Sequence, residues 1–374
     1  MRNKAFFRQR AGMLLCAWAC LGLLLPAQAA ETIPWPGDEA VTPCTSLVFG
    51  ENASGLDFFN GQLYVVDNEK AAFWIVDAQS DGTLSFASGM AGGRQIGFAE
   101  HTGHLAAARP DAEGITVDAE GMVYIVAERD MAEPKVSQNT VLWVDPKEEG
   151  SIVAARQEWN LTPSLPEVSA NRGLEGVEWI PFEAAEGRLW DQQTKALFDP
   201  ENYPHSVSEG IILVALEDNG HVYAYVLNED GSYAQLADWD TELGGAMALE
   251  YDAYEDVLWV MTDNGYDNLG AQLRFNGTQQ PDVVHVWPPA GVDIENNTEG
   301  FAIADASYTV QGQRPVYRLE DGALGGALTI GSLDCRYEPE EAPARGAGPG
   351  VALAAAVVGA LLCGSAVLYR RKHR

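Results

Sequence analysis

The chain has 374 residues and sets 54 Asp and Glu against 23 Lys and Arg, a formal net charge of −31 at pH 7. That balance excludes a nucleic-acid binder, which needs a basic footprint. It fits either a solvated acidic surface or an affinity for divalent cations.

Arg2, Lys4, Arg8 and Arg10 precede an apolar run over 13–25 and a small-x-small site at Ala27-Gln28-Ala29, so residues 1–30 read as an export signal. Cys16 and Cys20 leave with it. Residues 44–49 follow as a short strand. The next four units each show four brief apolar strands parted by turn residues, with no convincing long helix between them. The first unit is 55–59, 62–67, 73–77 and 83–87, with turns at Asn60-Gly61 and Asp81-Gly82. The second is 114–117, 122–127, 141–145 and 152–157. The third is 176–180, 211–216, 221–227 and 233–239, interrupted at 183–208 by an insertion that reads as a surface lid or a loop. The fourth is 248–252, 257–262, 272–275 and 283–287. A fifth unit, 300–305, 316–319 and 327–333, is one strand short, and residues 44–49 supply the missing one.

Four strands per unit is the arithmetic of β-propeller blades. The expected fold is therefore all-β, a propeller of five blades (six if the insertion forms another), with its ring closed by pairing of the two chain ends. Closure brings Cys44 beside Cys335, the two cysteines of the exported region, as a disulfide or as two thiols. The tryptophans read as packing between blades. Past residue 337, 338–350 is a Pro-, Gly- and Glu-rich stalk, and 351–369 carries no charge before Arg370-Arg371-Lys372-His373-Arg374. Nineteen residues make a helix of about 28 Å, enough to cross a bilayer core, with the basic tail on the cytoplasmic side. Residues 31–337 then form an ectodomain at the cell surface or in the periplasm, anchored by 351–369. A C-terminal sorting signal without its Leu-Pro-x-Thr-Gly motif is the other reading of that end. The oligomeric state is left open.

A phrase recurs at the start of the units: Glu113-Gly114-Ile115, Glu175-Gly176-Val177 and Glu299-Gly300-Phe301, with altered copies at Ser54-Gly55-Leu56 and Met247-Ala248-Leu249. Neighbouring strands run antiparallel, so first-strand starts and second-strand ends share one rim. Glu113, Glu175 and Glu299 therefore meet Asp67, Glu128, Glu217 and Asp263. Crowded carboxylates need compensation. Calcium takes six to eight oxygens, and Glu113, Glu128, Glu175, Glu217, Asp263 and Glu299 are its expected ligands. Arg109 and Arg172, just before two of the Glu-Gly pairs, are expected to hold an anionic substrate. Glu175 and His221, which opens a strand on the acidic face, are the candidate catalytic groups. The plainer reading is that each Glu only fixes blade packing. No Gly-x-Ser-x-Gly, His-Glu-x-x-His, P-loop or Cys-x-x-Cys occurs between the two ends.

Asp111-Ala112-Glu113-Gly114-Ile115, Asn171-Arg172-Gly173-Leu174-Glu175-Gly176-Val177 and Leu216-Glu217-Asp218-Asn219-Gly220-His221-Val222-Tyr223 resemble the extracytoplasmic β-propellers of the "esterase-like activity of phytase" and SdiA-regulated type, over roughly residues 45–335. The resemblance implies a secreted or surface propeller with calcium and hydrolysis of phosphoesters or esters. Ser54 and Met247 depart from the phrase and remove two carboxylates from the ring. The 183–208 insertion is another departure. The expected function is a surface-tethered, calcium-binding propeller hydrolysing a phosphoester or related small anionic ester. A non-catalytic propeller binding a surface ligand, and a lactonase-like propeller with one central calcium, are the alternatives.

Overall fold

Short apolar runs broken by left-handed turn residues fold here as strands. Asn60 and Gly61 are both left-handed (φ 51° and 78°), as a two-residue hairpin loop requires. The structure, a computed structural model, describes residues 30–323 and 327–334. The export signal, the stalk, the 351–369 span, the basic tail and Cys335 lie outside the described residues. Among the described residues no helix is long and apolar enough to cross a membrane, and Cys44 forms no disulfide.

Five largely antiparallel sheets stand around one axis. Blade I is Ala53–Phe59, Gln62–Asp67 and Ala72–Ala78, with Leu84–Phe86 and Arg94–Gly97 outside. Blade II is Pro110–Val117, Val123–Asp130, Ser137–Val144 and Gln157–Asn160, and blade III is Leu174–Pro181, Gly210–Leu216, His221–Leu227 and Tyr233–Asp240. Blade IV is Ala248–Asp252, Val257–Met261, Gly270–Arg274 and Asp282–Val286. Blade V is Thr298–Ile303, Arg314–Glu320 and Leu328–Leu333, completed by Thr42–Pro43 from the other end of the chain. The first strand of each blade lies innermost and touches its counterparts on either side, which closes the ring. An apolar cluster fills each of the five blade interfaces.

The closing strand is real but sits at Thr42–Pro43, just before the expected 44–49. Thr42 pairs with Ile330 and Pro43 with Thr329, and Cys44 N–H continues the ladder to Leu328 O at 2.8 Å. Residues 152–157 do not form the last strand of blade II. Ile152–Ala154 crosses over to lie parallel to Arg94–Gly97 on blade I, and Gln157–Asn160 takes the expected place against Ser137–Val144. Glu31–Ile33 likewise runs parallel to Asp282–Val286 on blade IV. Both additions cover sheet edges that would otherwise expose unpaired backbone groups.

The 183–208 insertion is neither a sixth blade nor a lid. It contains the turn Phe182–Ala185 and the hairpin Trp190–Asp191 and Ala196–Leu197, and it buries Phe182, Leu189 and Phe198 in the core shared by blades III and IV. It leaves from the far end of the innermost strand, so it lies on the face opposite the carboxylate rim. The tryptophans pack between blades as expected at Trp159, Trp239 and Trp259, but Trp287 is 52% exposed.

The glycine of the recurring phrase has a packing cause. A Cβ on Gly55 would stand 2.6 Å from Glu113 O, one on Gly114 2.5 Å from Glu175 O, one on Gly176 2.9 Å from Met247 O, and one on Gly300 2.5 Å from Ser54 O. Each glycine therefore lets its strand press on the backbone of the next blade. Gly114→Ala is expected to cost about 1–3 kcal/mol, because the obstructing atoms are backbone and cannot swing aside. Urea unfolding of the variant checks this, and an unchanged midpoint would show that the inner strands part at no cost.

Candidate metal centre

The innermost strands do not alternate evenly. Their pairing with the second strands shifts register between Ala53 and Leu56, between Ala112 and Gly114, between Leu174 and Val177, and between Thr298 and Gly300. Each shift falls on the Glu-Gly phrase or its Ser-Gly copy. A bulge of this kind inserts one residue and re-aims its side chain, and here it turns the glutamates toward the axis. Only at the axis can side chains from non-adjacent blades meet.

They do meet. One carboxylate oxygen from each of Glu113 in blade II, Glu175 in blade III and Glu299 in blade V lies within 4.8 Å of the others. Asp111, Glu113 and Glu128 form a second such group, so Glu113 joins five carboxylates into one network. Asn68 Nδ2 donates to Glu113 Oε2 at 3.0 Å, and Asn297 Nδ2 to Glu299 Oε1 at 2.9 Å. Gly173 N–H donates to Glu128 Oε2 at 3.0 Å. Arg129 provides the only cation bonded to this network among the described residues: it pairs with Asp111 and reaches Glu128 Oε1 at 3.3 Å. Glu299 Oε2 is buried with no partner.

Burial dominates the electrostatics. It pushes Glu128 up to about 7 despite the Gly173 amide and Arg129, and Glu299 up to about 8 with Asp321 adding to the shift. Glu113 and Glu175 are raised well above the ordinary range, first by burial and then by neighbouring carboxylates.

The other expected site residues sit further out. Glu217 faces Arg172 Nε at 3.8 Å, and that guanidinium lies 3.1 Å from Asp218, so Arg172 is engaged by carboxylates. Asp263 Oδ1 accepts the Gly265 amide at 2.9 Å and caps the turn Asn264–Tyr266. Asp67 Oδ1 accepts the Lys70 amide at 2.8 Å, while its Oδ2 is buried without a partner. Arg109 is exposed, and its own amide is held by Asp130. His221 bonds Asp238 through Nδ1 at 2.6 Å and lies in neither carboxylate group. Asp111, Asn68 and Asn297 were not foreseen. Asp111 had a visible signal, two residues before Glu113 in the same phrase, and Asn297 stands in the oxygen-rich loop 293–299 that leads into Glu299; Asn68 had none.

The chain is a five-bladed β-propeller. No known family profile matches the sequence, and no curated protein matches it. Among solved structures it is similar to a protein assigned as a gluconolactonase (12% identity, covering 81% of this chain and 94% of that one, TM-score 0.39). It is also similar to the glutaminyl cyclase of Myxococcus xanthus (9%, 80% and 100%, TM-score 0.41) and to a streptogramin B lyase (8%, 79% and 97%, TM-score 0.38). Likeness at this level concerns architecture and does not extend to chemistry.

The donor set is all oxygen, it comes from the innermost strands, and it includes the partnerless Glu299 Oε2. Hard divalent cations of the calcium type suit such a set. Carboxyls that bind protons more tightly folded than unfolded stabilise the cation-free protein below their unfolded value of 4.5, and that contribution is lost as pH rises through about 7 to 8. Metal-stripped protein is therefore expected to melt at a lower temperature at pH 8 than at pH 5, and excess calcium to restore the loss at pH 8. Calorimetry at both pH values checks this; a melting temperature indifferent to pH and calcium would contradict it.

Proposed function

We propose that the protein is a calcium-dependent hydrolase of a small carboxylic ester, with a lactone as the best fit. The observation that supports this is the axial meeting of Glu113, Glu175 and Glu299 from three blades within 4.8 Å, with one buried oxygen left over. These three side chains would hold the cation, which when bound supplies the polarisation of an ester oxygen. Glu128, grouped with Glu113 but not one of the three proposed ligands, is the carboxylate in the network placed to take a proton from water.

The charge around the rim selects between esters. Asp111 and Glu128 engage Arg129, and Glu217 and Asp218 engage Arg172. The remaining surface is strongly acidic, which repels anions, so a neutral ester suits this rim better than a phosphoester. The phosphoester reading, closer to the phytase-like resemblance, draws support from Arg109, which is exposed and makes no ion pair among the described residues.

A panel of lactones, aryl esters and phosphomonoesters, assayed with calcium and with chelator, separates these readings. Calcium-dependent turnover of lactones, lowered about 100-fold or more in Glu175→Gln, is expected. Turnover confined to phosphoesters and lost in Arg109→Ala would favour the second reading. Calcium binding with no turnover on any ester would leave a non-catalytic ligand-binding propeller. We also propose that the propeller is exported and held at a membrane by 351–369. A chain ending at residue 350 is expected to appear in the soluble exported fraction, and its retention in the membrane fraction would rule that anchor out.

A further inference from the structure

The axis carries a second ring of polar positions, three residues along each innermost strand from the first. It consists of Asp57, Thr116, Glu178, Glu250 and, breaking the series, Ala302. In a regular strand, residues three apart point to opposite sides. The register shifts described above lift that rule in four blades, so both positions can serve the axis. An oxygen from each of Asp57 in blade I, Glu178 in blade III and Glu250 in blade IV lies within 4.8 Å of the other two, and all three residues are buried.

Packing explains part of this ring. Asp57 Oδ2 accepts Val117 N–H at 2.7 Å, and Thr116 Oγ1 accepts Trp179 N–H at 3.1 Å. The amides of Tyr251 and Ile303 favour the ionised forms of Glu178 and Glu250. Asp57 and Thr116 thus staple their strands to the next blade. Thr116 does so with a neutral hydroxyl, so the staple does not call for a charge. Three carboxylates remain in excess of what packing needs. No salt bridge reaches any of them among the described residues, and the nearby Arg314 is spent on Asp252 in a bidentate pair at 2.8 and 3.0 Å. Glu250 is 6% exposed, and its Oε2 is buried with no hydrogen-bond partner. Uncompensated buried carboxylates are costly, and a hard cation among the spare oxygens removes the cost.

We propose that Asp57, Glu178 and Glu250 hold a second divalent cation, calcium by its all-oxygen donors, whose role is to tie blades I, III and IV together at the axis. Thr116 Oγ1, 3.5 Å from Glu178 Oε2, is placed to complete the set. A cavity of about 10 Å³ lies against Gly55, Gly114, Gly176 and Ala248 and against Glu175 and Glu299 of the first ring, room for a water or a bare ion. The inference does not rest on the hydrolase reading.

Calcium titration of the metal-stripped full-length protein by calorimetry, with metal content by mass spectrometry, tests it. Two equivalents per chain are expected. Glu250→Gln keeps the side chain's shape but lowers the ligand charge, and is expected to lose one equivalent and part of the calcium-induced rise in melting temperature. Asp57→Asn carries the same test should that variant fail to fold. A Glu113→Gln, Glu175→Gln double variant is expected to lose the other equivalent and keep this one, so the two sites fail separately. Wild-type protein that binds no calcium, or Glu250→Gln and Asp57→Asn proteins that keep every equivalent the wild type binds, would overturn the proposal.

Discussion

Five strands pressed together around one axis set the terms for everything else in this propeller. Where they touch, the backbone of one blade lies against the backbone of the next, and Gly55, Gly114, Gly176 and Gly300 are the positions at which a Cβ would block that approach. The ring positions on either side of the glycine belt are polar except at Met247 and Ala302. The side chains there must satisfy amides of the neighbouring blade, bind one another through protons, or share a cation.

The electrostatics follow from that crowding. Carboxylates from three of the five blades are brought within 4.8 Å of one another in each ring, in a place where burial outweighs every other influence on their protonation. Two cations are used elsewhere: Arg314 on Asp252 and Arg172 on Glu217 and Asp218. Among the described residues, Arg129 alone reaches the upper network. An arrangement that would be a liability in an ordinary core becomes a pair of stacked donor sets when a divalent ion is at hand.

Much of the architecture was legible because turn chemistry and short apolar runs are local. Asn60-Gly61 marked its hairpin, and the strand missing from the fifth unit pointed to the other end of the chain. Boundaries that depend on partners were not local. Ile152–Ala154 left its own blade for blade I, and the 183–208 insertion folded into the core under blades III and IV, since long-range packing outweighed what its sequence suggested. For the site, Glu113, Glu175 and Glu299 were recognisable from their repeating phrase and Glu128 from its position at a strand end. Glu217 and Asp263 stay within electrostatic reach of Glu175 and Glu299, and are held by Arg172 and by a turn amide.

The sequence by itself determined the repeat, the propeller and the rim on which the glutamates gather, because these depend on residue type and antiparallel order. It could not show that Asp57, Glu178 and Glu250 converge, since even alternation places them away from the side their neighbours three residues back occupy. Only the tertiary structure decided that point. The bulge at the Glu-Gly phrase breaks the alternation, and ring closure brings strands far apart in sequence to the same few ångström of the axis.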